Sequence, residues 1–125
     1  MLTRSPQGIG FTINSIGNGL PPFDAFLLLR GIKTLALRLD RQQATTQVVA
    51  EYLQKLGFKV NYPGLKGHPG KEIHDRLASG AGAVLSFETA DKALSERIVG
   101  AARLWGISVS FGCVNSLISM PCLMS

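Results

Sequence analysis

The stretch GLPPFDAFLLLRGIKTLALR, Gly19–Arg38, decides how the rest of the chain is read. Pro21 and Pro22 fit a helix start, where the first backbone N–H groups have no intrahelical partner. From Phe23 the apolar positions Phe26, Leu29, Ile32, Leu35, Ala36 and Leu39 recur at three- and four-residue steps, and Val48, Val49, Tyr52, Leu53 and Leu56 resume the pattern. The economical expectation is one long helix from Phe23 to Leu56, stopped by Gly57 and suited to linking two domains. At 1.5 Å per residue it would be about 50 Å long. Gly31 weakens such a helix locally, so a bend over Gly31 to Thr34 is the alternative.

Outward from this helix, Phe58 to Tyr62 reads as a short strand, Pro63–Gly64 as a turn, and the Gly- and Pro-rich stretch to Gly70 as a loop. A short helix is expected from Glu72 to Leu77. In Ala83–Glu88, Ala83, Leu85 and Phe87 alternate with Val84, Ser86 and Glu88, the period of a half-buried strand. Leu94, Ile98, Ala101 and Trp105 share one face of a helix running from Ala90 to Gly106, with Thr89 or Asp91 as its N-cap. Ile107 to Ser110 reads as a last strand. The order implies an α+β fold: a long N-terminal helix leading into a small sheet with helices on one face. The glycines and hydroxyl residues ahead of Gly17 suggest a flexible leader over residues 1–16, weakly like a transit peptide.

The 125 residues allow one domain, and 17% charged residues is low for a soluble domain, so part of the surface is expected to meet a partner. The net charge of +5 comes from basic residues scattered between Arg4 and Arg103 without a run or an aromatic-interleaved stripe, which argues against nucleic acid. Apolar runs such as Ala25 to Leu29 are too short to span a bilayer. Cys113 and Cys122 have no companions at zinc spacing, and His68 and His74 are out of phase on a helix, so neither a metal site nor a disulfide framework is expected. GAGA at Gly80 to Ala83 precedes a strand, where a dinucleotide fingerprint would precede a helix, and is read as a turn. In SFGCVNSL, Ser110 to Leu117, a strand end followed by Gly112 and hydroxyl groups can offer donors to a carboxylate, although chemistry alone favours an ordinary turn.

Taken together, Gly19–Arg38, the YPGL and HPG pieces (Tyr62–Leu65, His68–Gly70), GAGAVLSFE (Gly80–Glu88) and VSFGCVNSLISMPCLMS (Val109–Ser125) resemble, in order and spacing, the C-terminal part of the transsulfuration enzymes that use pyridoxal 5'-phosphate (PLP). The resemblance covers about Gly17 to Ser125. SFG followed by SLISMPC looks most like the plant cystathionine β-lyase branch, while Asn115 stands where the synthase and γ-lyase branches carry an acid. The resemblance implies part of a fold-type I PLP enzyme, a carbon–sulfur lyase that splits cystathionine into homocysteine, pyruvate and ammonia in methionine biosynthesis. A γ-synthase or γ-lyase fragment, or a non-catalytic module bound to full-length subunits, are the other readings it leaves.

What the resemblance transfers to this chain is narrow. The family binds PLP through a lysine in a Ser-x-Thr-Lys setting, and no lysine here has that setting; Lys33, in GIKT, matches a structural helix position. No catalytic, cofactor-binding or metal-ligating residue is therefore expected in this chain, and activity of the chain alone is not expected. Ser110, with the backbone at Phe111, matches the segment that faces the substrate's α-carboxylate. The family also implies a homotetramer and, through its plant branch, a plastid location.

Overall fold

The computed structural model describes residues 6–110, 112 and 114–123. The chain divides into two compact units, residues 1–36 and 37–125.

In the first unit, α1 (Pro6–Ser15) occupies the stretch expected to be a flexible leader. It forms although Gly8 and Gly10 each cost a helix interior about 1 kcal/mol relative to alanine. Its hydroxyl residues turn back on the preceding turn, Thr12 Oγ1 donating to the Gly8 carbonyl at 2.9 Å and Ser15 Oγ to the Phe11 carbonyl at 2.8 Å. Gly17, at φ +70°, then stops it in a Schellman arrangement: the Asn18 N–H donates to Ile13 O and the Gly17 N–H to Asn14 O. The next helix, α2 (Pro22–Ile32), begins with Pro22 and carries Asp24 in its first turn, where a negative charge suits the helix dipole. The Arg30 guanidinium sits 5.7 Å from the Phe26 ring centre, a cation–π contact.

The continuous helix expected from Phe23 does not form. It breaks at Lys33–Thr34, where the bend was the alternative, and α3 (Leu35–Lys55) starts anew. At the break the Thr34 N–H and Oγ1 both reach the Gly31 carbonyl at 3.4 Å, so a three-residue turn replaces the four-residue ladder. A glycine at the last turn of α2 gives little resistance to this change.

The second unit is built around the end of α3. Gly57, at φ +89°, repeats the Schellman stop, with the Phe58 N–H donating to Leu53 O and the Gly57 N–H to Gln54 O. The chain then enters β1 (Lys59–Asn61). After a turn and a loop come α4 (Lys71–Leu77), β2 (Ser86–Glu88), α5 (Lys92–Ala101), β3 (Gly106–Ile107), β4 (Leu117–Ile118) and a 3-10 turn at Pro121–Leu123. Among the described residues the sheet is two separate two-stranded pieces. Strands β1 and β2 pair antiparallel with Val60 opposite Phe87, whereas β3 and β4 pair parallel with Gly106 opposite Leu117. Helix α5 ends at Ala101, short of the expected Gly106; Ala102 is already extended, which leaves Trp105 outside the helix. Its N-cap is Asp91, whose carboxylate accepts from the Ala93 N–H at 2.8 Å, as expected of an aspartate at that position.

Among the described residues the core is Ala50, Tyr62 and Leu65, with Val60, Ala81 and Leu85 packed against it. Cross-strand contacts extend it outward: the Phe58 and Phe87 rings lie 5.4 Å apart, and Lys59 Nζ meets Glu88 Oε1 at 2.8 Å. By contrast α2 has no buried residue, and Phe23 and Leu29 are 68% and 62% exposed on it.

Candidate functional site

Ser110 follows β3 after Ser108 and Val109. Both ends of the connection from β3 to β4 are tied by the backbone, the Gly106 N–H donating to Ser116 O at 2.9 Å and the Ser108 N–H to Ile118 O at 3.4 Å. Ser110 lies between these ties, exposed, and its hydroxyl makes no hydrogen bond to a described residue. Gly112 takes φ +86°, a left-handed conformation that favours glycine. An exposed hydroxyl on a loop pinned at its base can meet a ligand without breaking any bond of its own. Phe111 and Cys113, which complete the SFGC motif, lie outside the described residues.

Beside the same connection, Val114 lines an open cleft of about 270 Å³ with Leu37, Arg38, Arg41 and Gln42 of α3. Sequence reasoning passed over these two arginines. Their spacing of three along a helix, which places side chains on one face, was the signal. Leu37 and Val114 supply its apolar lining, and Arg38, Arg41 and Gln42 its polar groups.

The GAGA turn is held by three elements at once. Gly82 donates its N–H to Gln43 Oε1 and accepts from the Tyr62 hydroxyl, both at 3.0 Å, and the Gly80 carbonyl meets His74 Nε2 at 3.0 Å. The last contact requires the proton of the His74 ring to sit on Nε2. Burial pushes the Tyr62 phenol above the ordinary tyrosine range. These groups satisfy one another and hold the turn in place.

A lysine that binds PLP covalently must be held as a neutral amine in a desolvated pocket. Lys33, Lys55, Lys59, Lys66 and Lys92 are exposed; Lys71 is half-buried but its Nζ is held by both carboxylate oxygens of Asp75 at 3.0 and 2.9 Å. No described lysine is therefore both desolvated and unpaired. Nor do any three His, Cys, Asp or Glu among them stand where they could hold a metal ion. Cys122 is an exposed free thiol. No described helix is long and apolar enough to cross a membrane.

Residues 3–125 match the family model described as Cys/Met metabolism PLP-dependent enzyme. The chain belongs to this family. The match begins well ahead of Gly17, so α1 is part of the family's sequence pattern. A cystathionine beta-lyase of Neurospora crassa is 70% identical over 115 residues, covering 92% of this chain and 25% of that protein. The chloroplastic cystathionine beta-lyase of Mimosa pudica is 52% identical over 124 residues, covering 98% of this chain and 27% of that protein, so the fungal relative is nearer than this plant one. Among solved structures, the cystathionine gamma synthase of Xanthomonas oryzae pv. oryzae superposes with a TM-score of 0.86 at 37% identity, covering 94% of this chain and 31% of that one. The chain thus spans between a quarter and a third of the length of these relatives. The α+β architecture is that of the family's solved members.

Proposed function

We propose that these residues form the C-terminal part of a cystathionine β-lyase, which splits cystathionine by β-elimination into homocysteine, pyruvate and ammonia. The observation that carries this reading is the 70% identity to the Neurospora crassa β-lyase over 92% of the chain, against 37% to the Xanthomonas γ-synthase. In this reading PLP is the electron sink of the complete enzyme and is bound by a lysine of the family fold other than the six found here. This chain's own share is to offer the Ser110 hydroxyl, with the backbone at Phe111, to the substrate's α-carboxylate. The complete enzyme is a homo-oligomer, a tetramer by family likeness. The plant relative alone carries a plastid address in its name, so we assign no compartment to this chain.

Residues Gly17–Ser125, grafted in place of the matching segment of the full-length Neurospora enzyme, should yield pyruvate from cystathionine. Ser110→Ala in that chimera should lower kcat/KM about ten- to hundredfold, the roughly 1.5–3 kcal/mol of a hydrogen bond to a charged group, with the cofactor's absorbance unchanged. A chimera that joins cysteine to an activated homoserine and leaves cystathionine intact would instead establish the γ-synthase reading. The 125-residue chain incubated with PLP and borohydride should show no stoichiometric label on any lysine; labelling of Lys33 would place the cofactor site here after all.

A further inference from the structure

We propose that the face of α2 centred on Leu27 pairs this chain with a second copy of itself, the two helices running antiparallel. Helix α2 is apolar on all sides: Phe23, Phe26, Leu27, Leu28, Leu29 and Ile32 all stand exposed, and none of its residues is buried. A helix of that kind is ordinarily covered. The arrangement of its few other residues indicates what covers it.

Asp24 and Arg30 lie three residues before and after Leu27, and Phe23 and Gly31 four before and after, so all five share one helical face. Reversed, this pattern is complementary to itself. A two-fold axis through Leu27 sets Asp24 of each copy opposite Arg30 of the other, and each Phe23 ring opposite the other copy's Gly31. Nothing lies within 4 Å of the point that a Cβ on Gly31 would occupy, so a ring can approach the backbone there. Neither Asp24 nor Arg30 forms an ion pair with a described residue. Arg30 rests near the Phe26 ring, a contact that leaves its hydrogen-bond donors for a carboxylate. The antiparallel arrangement also brings the start of one helix beside the end of the other, as their dipoles favour. A parallel pair would instead set Asp24 against Asp24. The contact uses the same patch on both copies, so it closes at two. Two helices of 11 residues, each about 16 Å long, cover less than the roughly 1,600 Å² of a standard interface, so the dimer is a weak one. The face does not include Ser110 and the pairing needs no cofactor, so this inference can fail without the lyase reading.

Sedimentation equilibrium of the 125-residue chain at pH 7, from low micromolar to millimolar concentration, provides the test. The average mass should rise from 13.4 kDa toward twice that value and go no further. Asp24→Arg and Arg30→Asp each set like charges opposite one another in the pair, and each alone should associate about tenfold more weakly or not at all. Both side chains are exposed, so the helix content seen by circular dichroism should be unchanged. Mixed in equal amounts, the two variants present opposite charges at both contacts, and the mixture should recover the parent's association. Leu29→Asp, on the opposite side of α2, should leave association as it was. A chain that stays monomeric at every concentration would overturn the proposal and leave the face to a partner of another kind. Growth beyond the dimer, single-charge variants as tight as the parent, a mixture no tighter than its components, or equal weakening by Leu29→Asp would also overturn it.

Discussion

Two loops of the second unit are built on opposite plans. The Gly80–Gly82 turn is tied through Tyr62, Gln43 and His74 to a core in which Tyr62 is only 1% exposed. The connection carrying Ser110 rests on a two-residue parallel pair and leaves its hydroxyl in solvent. The first loop has spent its polar groups on the fold, so changing it should unfold the unit. The second has kept a hydroxyl in reserve, so changing it should alter chemistry and leave stability alone.

The sharpest way to break this contrast is at Tyr62. Tyr62→Ala should destabilise the chain by about 3–5 kcal/mol in urea unfolding, the usual loss for a large buried aromatic. Tyr62→Phe keeps the ring and removes only its bond to the Gly82 carbonyl, and should cost about 1–3 kcal/mol. Gly64→Ala comes next. A methyl group there would run into the Tyr62 ring and the Gln47 side chain, and overpacking of this kind costs roughly 1–3 kcal/mol. If Gly64→Ala is neutral, the packing around Tyr62 is looser than described.

Ser110→Ala probes the other side of the comparison. The same unfolding measurement should shift by no more than about 0.5 kcal/mol, as for other exposed positions. A larger loss would mean that the Ser110 loop is a structural member like the GAGA turn. The smallest effect belongs to the cross-strand pair. The hydrogen bond and charge of Lys59 hold the Glu88 carboxyl below the usual carboxylate range. A carboxyl with a depressed folded-state pKa stabilises the fold above its unfolded pKa, and that contribution disappears as pH falls through the folded value. Glu88→Gln should therefore flatten a slight loss of stability in acid, and added salt should mimic it, because the pair is exposed.

The same two loops show what a sequence displays and what it conceals. The periodicity placed β1, α4 and α5 in order, and glycine after an apolar helix marked the stop at Gly57, because both signals are local. The break at Lys33–Thr34 was legible only as an alternative marked by Gly31, because the apolar positions keep helical spacing straight across it. Helix α1 was hidden by Gly8 and Gly10, whose propensity points away from helix. The division of one expected sheet into two pieces depends on long-range pairing, which alternation along a single strand does not encode. GAGA looked like a bare turn since its three partners lie far along the chain or are ordinary polar residues. The strand end and hydroxyl groups around Ser110 suggested donors but favoured an ordinary turn, and family likeness made it a candidate; its side chain is exposed.

The ties on the GAGA turn also imply an order of assembly. His74 and Gly80 are six residues apart, Tyr62 and Gly82 twenty, Gln43 and Gly82 thirty-nine. Closing a flexible loop loses about 0.6 kcal/mol more in chain entropy for each doubling of its length. The histidine contact should thus form earliest, the tyrosine bond next and the glutamine bond last, when α3 comes to rest against the turn. Pulse-labelling of amide hydrogens during refolding would follow this sequence at one atom. The Gly82 N–H donates only to Gln43, so it should remain open to exchange until the final step, after the amides of α4 have closed.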